Sequence, residues 1–225
     1  MQGDVPRFHA PADARPDDVA WPPMSWPPIA HRELGGDAVV LRPYVDEDAA
    51  ELFAALDDDR VWAHVAGRPG TPEALAVGMA TRTAMDDPVG RFPWVVRLRR
   101  PLAGLAAGSV VGTSSYLEVS PRDARLEIGF TMYSPAVWGT VVNPQTKLLL
   151  LGHAFDDLGA GRVQLKTDIR NVRSQQAITR LGATYEGVLR RYQRRADGTV
   201  RDTVLFSIIA EEWPSVRSRL EARLD

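Results

Sequence analysis

Strand-like and helix-like segments alternate through the second half of the chain, with turn residues at the junctions. Two strand-like runs, ARLEIGFTMY (124–133) and RVQLKTDI (162–169), are each followed by a helix-like segment. A hairpin around Asp197 and Gly198 comes later. The first run carries Gly129 in mid-strand, which predicts a bulge or a close backbone approach. The whole element order, β-α-α-β-β-β-α-β-α-β-β-α, predicts an α/β (α+β) fold with one mixed sheet and helices on both faces.

Both helix-like segments of this half open with a residue that can cap a helix. In NPQTKLLLL, Asn143 is the predicted N-cap and Pro144 the first helical residue, and Gly159 ends the helix. In NVRSQQAITRLG, Asn171 is the predicted N-cap and Gly182 the left-handed residue at the C-terminus. Helix N-termini that follow neighbouring strands lie side by side at one sheet edge, where their amides and dipoles can hold an anion. Each segment alone equally suits an ordinary capped surface helix.

The first 30 residues differ in composition from the rest. The stretch VPRFHAPADARPDDVAWPPMSWPPIA holds seven of the 17 prolines, which excludes a regular helix or a central strand there. We expect residues 1–30 to form a Pro/Trp-rich arm and residues 31–225 to form a single domain. Trp21 and Trp26 suit anchoring of the arm against the domain or a neighbouring subunit, and a tail without fixed structure is the alternative.

Composition excludes several classes of function. The 225-residue chain carries 27 Lys and Arg against 29 Asp and Glu, a net charge of −2, which gives no reason to expect nucleic-acid binding. The sequence has no cysteine, so disulfides, thiolate metal sites and a cysteine nucleophile are excluded. The histidines show no metal-ligand spacing, and no apolar run approaches the ~20 residues of a membrane helix. We therefore predict a cytoplasmic protein without a metal, nucleic-acid or membrane partner.

Three stretches of the sequence resemble the GNAT superfamily of acyl-CoA-dependent N-acetyltransferases, in particular the branch containing the ribosomal-protein N-terminal acetyltransferases. They are LEIGFTMYSPAVWGTVVN, NVRSQQAITRLGATYEGVLRRY and DGTVRDTVLFSII, and the similarity extends from Val39 to about Ile209. The resemblance implies a mostly antiparallel, splayed mixed sheet, with the cofactor wedged between the strands of Glu127 and Val163. It also implies acetyl-CoA as co-substrate and, as acceptor, an amine of a small molecule or a protein N-terminus.

The resemblance also implies which residues bind the cofactor. Pantetheine would lie along the backbone of Phe130, Thr131 and Met132. The pyrophosphate would lie in the loop formed by Trp138, Gly139, Thr140, Val141, Val142 and Asn143. Asn171 and Ser174 would face the pantetheine and the thioester sulfur, which would explain the polar first turn of their helix.

The pyrophosphate loop departs from the family pattern. The family has Arg or Gln, two residues, Gly, one residue and then Gly or Ala, where this chain has Trp138, Val141 and Asn143. Glycine permits close backbone approach and positive φ, whereas β-branched valine resists both. The departure motivates a second hypothesis, a catalytically weak acyl-CoA-binding or regulatory module. A third hypothesis is a scaffold that oligomerises through the arm, for example as a homodimer.

Acetyl transfer needs a neutral amine, a polarised thioester carbonyl and a proton for the departing thiolate. Glu127 is the candidate base, acting through water, and its alternative role is an exposed strand carboxylate. Ser174 is the candidate acid or sulfur partner, and its alternative role is to help cap the helix. Tyr185 and Tyr192 are reserve acids that also suit a structural role in the sheet.

Overall fold

The computed structural model describes residues 10–13, 20, 24–26, 28, 32–80 and 90–224. The strands within these residues are β1 (Leu34–Gly35), β2 (Val39–Pro43), β3 (Arg91–Leu98), β4 (Val110–Ser120), β5 (Arg125–Tyr133), β6 (Arg162–Asp168), β7 (Thr184–Arg194) and β8 (Val200–Ile209). They form one eight-stranded sheet in the order β1-β2-β3-β4-β5-β6-β8-β7.

The helices follow the predicted alternation with the strands. Those in the described residues are α1 (Ala49–Leu56), α2 (Asp59–Trp62), α3 (Pro72–Ala80), α4 (Val142–Gly152), α5 (Val172–Leu181) and α6 (Trp213–Glu221). The sequence predicts a helix from Thr71-Pro72-Glu73 to Met85, with Pro72 at its first position. The structure begins α3 at Pro72, and Met85 lies outside the described residues. The hairpin around Asp197 and Gly198 is confirmed, because it joins β7 to β8.

The pairing of β5 with β6 is parallel, while the other pairings among the described strands are antiparallel. Helix α4 makes the crossover that a parallel pair requires. The mixed, mostly antiparallel sheet predicted from the sequence is therefore confirmed.

The sheet is covered on both faces. Strand β3 shows the alternation, since Trp94 and Val96 belong to one buried cluster and Val95 to another. The first cluster includes Leu150 of α4 and residues of α5 and α6, and the second includes Leu52 of α1 and residues of α3. The prediction of helices on both faces is confirmed, and the site described below lies where β5 separates these two layers.

Helix α4 begins earlier than predicted. Its first residue is Val142 and its N-cap is Val141, so the prediction of Asn143 as N-cap and Pro144 as first helical residue is wrong. The physical reason is the backbone, because the Gln145 amide already donates to the Val141 carbonyl at 3.0 Å and closes a helical turn that includes Asn143. The Thr140 hydroxyl accepts from the Val142 amide at 3.3 Å, but the N-cap itself makes no side-chain cap hydrogen bond. The helix continues as a π-turn over His153–Asp157, and Gly159 follows with φ of 75°.

Part of the N-terminal segment packs on the domain. The Ser25 amide donates to the Leu158 carbonyl at 2.7 Å, and Met24 is buried. The Trp26 ring contacts Phe92 and Tyr116 edge-on, with centroid distances of 5.9 and 6.3 Å. Trp21 lies outside the described residues. The division of the chain at residues 30 and 31 stays a prediction.

Candidate active site

A gap opens between β5 and β6 because their pairing is short. The paired residues are Arg125 with Arg162, Leu126 with Val163, and Glu127 with Gln164. Beyond Glu127, β5 continues to Tyr133 beside β4, while β6 continues to Asp168 beside β8. The two strands thus separate from Glu127 onwards, and the space between them is called the slot below.

Strand β5 carries a bulge next to the slot. Ser115 pairs with Gly129 and Thr113 with Met132, so two residues, Phe130 and Thr131, stand opposite Ser114 alone. Phe130 has φ of 49°, a left-handed conformation that costs a non-glycine residue about 1–2 kcal/mol. The bulge predicted from Gly129 is confirmed, and a bulge bends its strand and increases the local twist.

Gly129 is also a close-approach residue. A Cβ atom there would lie 2.5 Å from Glu127 Oε1 and 2.6 Å from Leu117 Cδ1. The missing side chain therefore leaves room for the Glu127 carboxylate.

Glu127 is buried at the point where the slot opens, with 7% of its surface exposed. Its Oε2 lies 2.8 Å from Lys166 Nζ. Burial raises the pKa of Glu127, and the ion pair with Lys166 offsets only part of that rise. Glu127 is therefore not the exposed strand carboxylate of the alternative interpretation.

Lys166 joins residues from four strands. Besides Glu127, its Nζ contacts Glu118 Oε1 at 2.5 Å and donates to Tyr192 Oη at 3.0 Å. Burial alone would lower the pKa of Lys166, but its ion pairs with the two carboxylates outweigh burial and raise it. Lys166 thus remains a cation beside Glu127. Of the two reserve acids, Tyr192 belongs to this network, whereas Tyr185 is exposed and packs against Phe206.

A second lysine, Lys147, reaches the bulge from the face of the sheet that α4 covers. Its Nζ donates to Thr131 Oγ1 at 2.6 Å and to Ser114 Oγ at 3.1 Å, and the two hydroxyl oxygens are 2.8 Å apart. Lys147 is buried, and burial lowers its pKa to about 7, while the charge of Glu127 partly opposes the decrease. The three side chains are called the bulge clamp below.

Neither lysine belongs to a motif that predicts a site, although the sequence contains a signal for both. Lys147 and Lys166 are the only two lysines in the chain, and every other member of the 27 basic residues is arginine. A chain that uses arginine at its exposed basic positions places its two lysines at sheltered positions near β5: Lys147 is buried, and 8% of the Lys166 side chain is exposed. Lysine carries a compact ammonium group whose pKa responds to burial, which arginine cannot supply.

The loop after β5 supplies positive φ at a different residue from the one expected. Gly139 has φ of 75°, whereas Val141 has φ of −68° and ψ of −11°, a right-handed helical conformation that valine adopts without strain. The Val141 carbonyl accepts from the Gln145 amide at 3.0 Å. The expectation that valine hinders this loop by refusing positive φ is therefore wrong.

Trp138 connects this loop to α5. Its Nε1 donates to the Tyr133 carbonyl at 3.0 Å, which fixes the indole at the end of β5. The Arg173 guanidinium lies 3.8 Å from the ring centroid, and the Arg60 guanidinium lies at 5.5 Å. Arg60 is neutralised by two hydrogen bonds to Asp58. Trp138 thus links the loop that precedes α4 to the first turn of α5, through its contact with Arg173.

Asn171 caps α5 as predicted, because its Oδ1 accepts from the Ser174 amide at 3.0 Å. Gly182 ends the helix with φ of 96°, also as predicted. Ser174 is half-buried in the first turn, so Asn171 and Ser174 lie together at the start of the helix that follows β6.

The described part of the chain holds neither a membrane-spanning helix nor a cluster of metal ligands. No helix there is long and apolar enough to cross a membrane. No group of three or more His, Asp or Glu side chains there is arranged to hold a metal ion. Of the histidines, His153 is buried and its Nδ1 is 3.0 Å from Tyr116 Oη.

The slot between β5 and β6, flanked by the N-termini of α4 and α5, agrees with the arrangement that the sequence resemblance implies. The family model described as the acetyltransferase (GNAT) domain matches residues 38–184. The chain therefore belongs to the GNAT acetyltransferases, and it is an N-acetyltransferase.

Relatives cover most of the chain. The uncharacterized N-acetyltransferase YoaA of Bacillus subtilis is 23% identical over 180 residues, which are 77% of this chain and 94% of YoaA. A solved structure from T. thermophilus, described as an acetyltransferase, is 37% identical with a TM-score of 0.75, over 89% of this chain and 100% of that one. Mycobacterium smegmatis RimJ, solved in complex with CoA-disulfide, is 23% identical with a TM-score of 0.68, over 86% and 92% of the two chains. At that identity RimJ supports the fold alone.

Proposed function

We propose that this N-acetyltransferase moves the acetyl group of acetyl-CoA to a primary amine by direct attack of the amine on the thioester. The observation that carries the proposal is the position of Glu127, which is buried where β5 and β6 separate. A carboxylate with a raised pKa in this position suits a general base near neutral pH.

The proposed reaction needs three proton transfers. Glu127 accepts a proton from the ammonium form of the acceptor, through water, so that the amine nitrogen has a lone pair. The nitrogen attacks the thioester carbonyl carbon, and an intermediate forms with an oxyanion and a positively charged nitrogen. When the carbon–sulfur bond breaks, Ser174 donates a proton to the thiolate, and the surplus proton of the nitrogen returns to Ser174 through water. Glu127 releases its proton to solvent at the end of the cycle. Lys166 keeps the Glu127 carboxylate oriented through its 2.8 Å contact.

The proposed cofactor position follows the slot. The backbone of Phe130, Thr131 and Met132 supplies pairing groups to pantetheine, as a strand edge does, because β6 no longer pairs with β5 there. Asn171 uses its Oδ1 for the Ser174 amide, which leaves its NH2 group to donate to the cofactor.

The proposed pyrophosphate position is the loop from Trp138 to Asn143. The Val142 amide is bonded to Thr140 and Pro144 carries no N–H, so the amides of Gly139, Val141 and Asn143 are the ones that would donate to an anion. The positive φ of Gly139 lets the loop turn there. The Arg173 guanidinium, held over Trp138 at 3.8 Å, supplies positive charge beside this loop. In the family pattern, an arginine at the position of Trp138 supplies positive charge from the loop itself. In this chain Arg173 of α5 would supply that charge.

The second candidate function is a catalytically weak acyl-CoA-binding or regulatory module. Its support is the departure of the loop from the family pattern at Val141 and Asn143. The unstrained backbone of Val141 weakens that support, because this residue does not need the conformations of glycine. A scaffold acting through Trp26 is less well supported, since this ring packs within the chain.

The acceptor class is proposed as a primary amine of a small molecule or a protein N-terminus. Membership of the GNAT family supports acetyl-CoA as the donor, because the family uses acetyl-CoA as its co-substrate. A cytoplasmic location and a homodimer stay predictions from the sequence.

The test is thiol release from acetyl-CoA with a panel of acceptors that includes peptide N-termini, polyamines and amino-sugars. Glu127→Gln should lower kcat by about 10²-fold or more at neutral pH and leave acetyl-CoA affinity nearly unchanged, because the carboxamide cannot accept the proton. With wild-type protein, kcat should fall as the pH drops through the raised pKa of Glu127.

Glu186→Gln is the matched control. Glu186 is also a carboxylate in an ion pair, here with Arg162, but it is exposed and lies on β7. Its replacement should leave kcat unchanged. Equal activity of the Glu127→Gln variant and wild type would remove Glu127 from the mechanism. Acetyl-CoA binding without thiol release for any acceptor would favour the binding module.

A further inference from the structure

We propose that Lys147 is a positioning residue for acetyl transfer: its Nζ ties Thr131 to Ser114 and thereby holds the bulge of β5 that keeps the slot open. This inference rests on the proposed function, since it gives Lys147 a role in the same site. Lys147 itself lies in α4, outside the residues proposed to touch the cofactor.

The bulge clamp joins the two sides of the irregular pairing. Ser114 is the single residue of β4 that faces the bulge, and Thr131 is one of the two β5 residues opposite it. Lys147 donates to both hydroxyls, at 3.1 and 2.6 Å, from a third element. A regular pairing of β5 with β4 would move Thr131 to the other face of the sheet and break these contacts, since side chains alternate along a strand.

The backbone strain at Phe130 indicates that the bulge needs such support. A left-handed non-glycine residue persists only where its surroundings fix it. Phe130, with φ of 49°, is held on one side by the Arg91 guanidinium, 4.3 Å from its ring centroid. The clamp fixes the following residue, Thr131, from the other layer of the protein.

Burying a lysine at this position costs folding free energy, which a residue that only filled space would not cost. Lys147 is 4% exposed, and among the described residues no carboxylate forms an ion pair with it. A methionine of similar length would fill the same space without placing an ammonium group in the core. The depressed pKa of Lys147 agrees with this cost.

The clamp acts on the cofactor through the shape of β5. Pairing with β6 ends at Glu127, three residues before Phe130. The bend at the bulge directs the backbone of residues 130–132, which the proposed function places along pantetheine. Without the clamp these groups would lose their fixed orientation, and small displacements of binding groups cost orders of magnitude in rate.

The test combines Lys147→Met and Thr131→Val, singly and together, in the full chain. Thr131→Val removes the acceptor from the opposite end of the clamp and keeps the side-chain shape. Tyr116→Phe is the control, because Tyr116 Oη donates to the Leu150 carbonyl at 2.8 Å and also links β4 to α4. Acetyl-CoA affinity is measured by calorimetry, and kcat/KM is measured by thiol release. The flexibility of the bulge is measured by amide hydrogen exchange on peptides that contain residues 129–132.

We expect each single variant to weaken acetyl-CoA binding by about tenfold, to lower kcat/KM by at least the same factor, and to speed exchange at residues 129–132. The double variant should be no worse than the stronger single variant, because both break one clamp. Tyr116→Phe should change none of the three readouts.

Binding, kcat/KM and exchange at wild-type levels in both single variants would overturn the role of Lys147, and so would fully additive effects in the double variant. If Lys147→Met does not fold, Thr131→Val alone decides by the same criteria. Wild-type protein that fails to bind acetyl-CoA would refute the proposed function itself, and the role of Lys147 in transfer with it. Wild-type binding with unaffected variants would refute only the role of Lys147.

Discussion

Replacing Lys147 with Met should change how the stability of the protein depends on pH. Burial lowers the pKa of Lys147 from 10.5 to about 7. At about 1.4 kcal/mol for each tenfold change in the protonation equilibrium, this difference corresponds to roughly 5 kcal/mol of cost for the buried ammonium at acidic pH.

The direction follows from proton binding in the two states. Below pH 7, both folded and unfolded chains carry a charged Lys147, and the folded protein bears the full cost. Between pH 7 and 10.5 the folded protein releases this proton while the unfolded chain keeps it, so the unfolded state binds more protons and stability rises with pH. Integrated from pH 6 to pH 9, the gain of wild type relative to Lys147→Met is about 2–3 kcal/mol.

Urea unfolding at pH 6, 7, 8 and 9 measures this gain, provided that the m-value stays constant. The difference in unfolding free energy between wild type and Lys147→Met should grow in favour of wild type as the pH rises. Tyr116→Phe should run parallel to wild type, because burial raises the pKa of Tyr116 further above this range.

A direct observation is also available, because the chain has two lysines. Side-chain NMR of selectively labelled lysine should show one Nζ that titrates near pH 7, and that signal should be absent in Lys147→Met. Parallel stability curves for wild type and Lys147→Met, or an Nζ that titrates only near its ordinary pKa, would refute the reasoning.

Three further predictions concern the loop, α5 and the N-terminal segment. Arg173→Gln should weaken acetyl-CoA binding severalfold and reduce the salt dependence of binding in calorimetry. Arg180→Gln, at the other end of α5, should do neither. Equal effects of the two variants would show that the charge near Trp138 is unimportant. Val141→Gly should lower the unfolding free energy by about 0.5–1 kcal/mol without tightening acetyl-CoA binding, since Val141 is already helical, and tighter binding would show that valine does hinder the loop. Trp26→Ala should lower the unfolding free energy by about 2 kcal/mol, because the partly buried ring packs on Phe92 and Tyr116. The oligomeric state in light scattering should stay unchanged, and a change would place this ring in an interface.

The elements that could be predicted from the sequence are those fixed by local signals. Asn171 and Gly182 mark both ends of α5, because capping depends on residues within a few positions of each other. Gly129 marked the bulge for the same reason. The prediction of Asn143 as N-cap is wrong, because the backbone already turns helical at Val142 and no side chain caps this N-terminus, an outcome that a capping residue in the sequence does not reveal.

The chemistry of the site depends on contacts between distant residues. Lys147 meets Thr131 and Ser114, which are 16 and 33 positions away, and Lys166 meets Glu118, 48 positions away. Such contacts follow from strand order and register, which the local pattern leaves open. Glu127 was found through the family resemblance, but its burial and its ion pair required the structure.

The scarcity of lysine has a consequence for the protein's own chemical lifetime. Thioesters such as acetyl-CoA acylate accessible amines slowly without any enzyme, and exposed lysine is the usual protein target. Both lysines of this sequence are sheltered, Lys147 at 4% exposure and the Lys166 side chain at 8%. The surface carries its positive charge on arginine, whose guanidinium stays protonated and does not act as a nucleophile at neutral pH. An enzyme that works beside a reactive acyl donor therefore offers that donor no exposed lysine to damage.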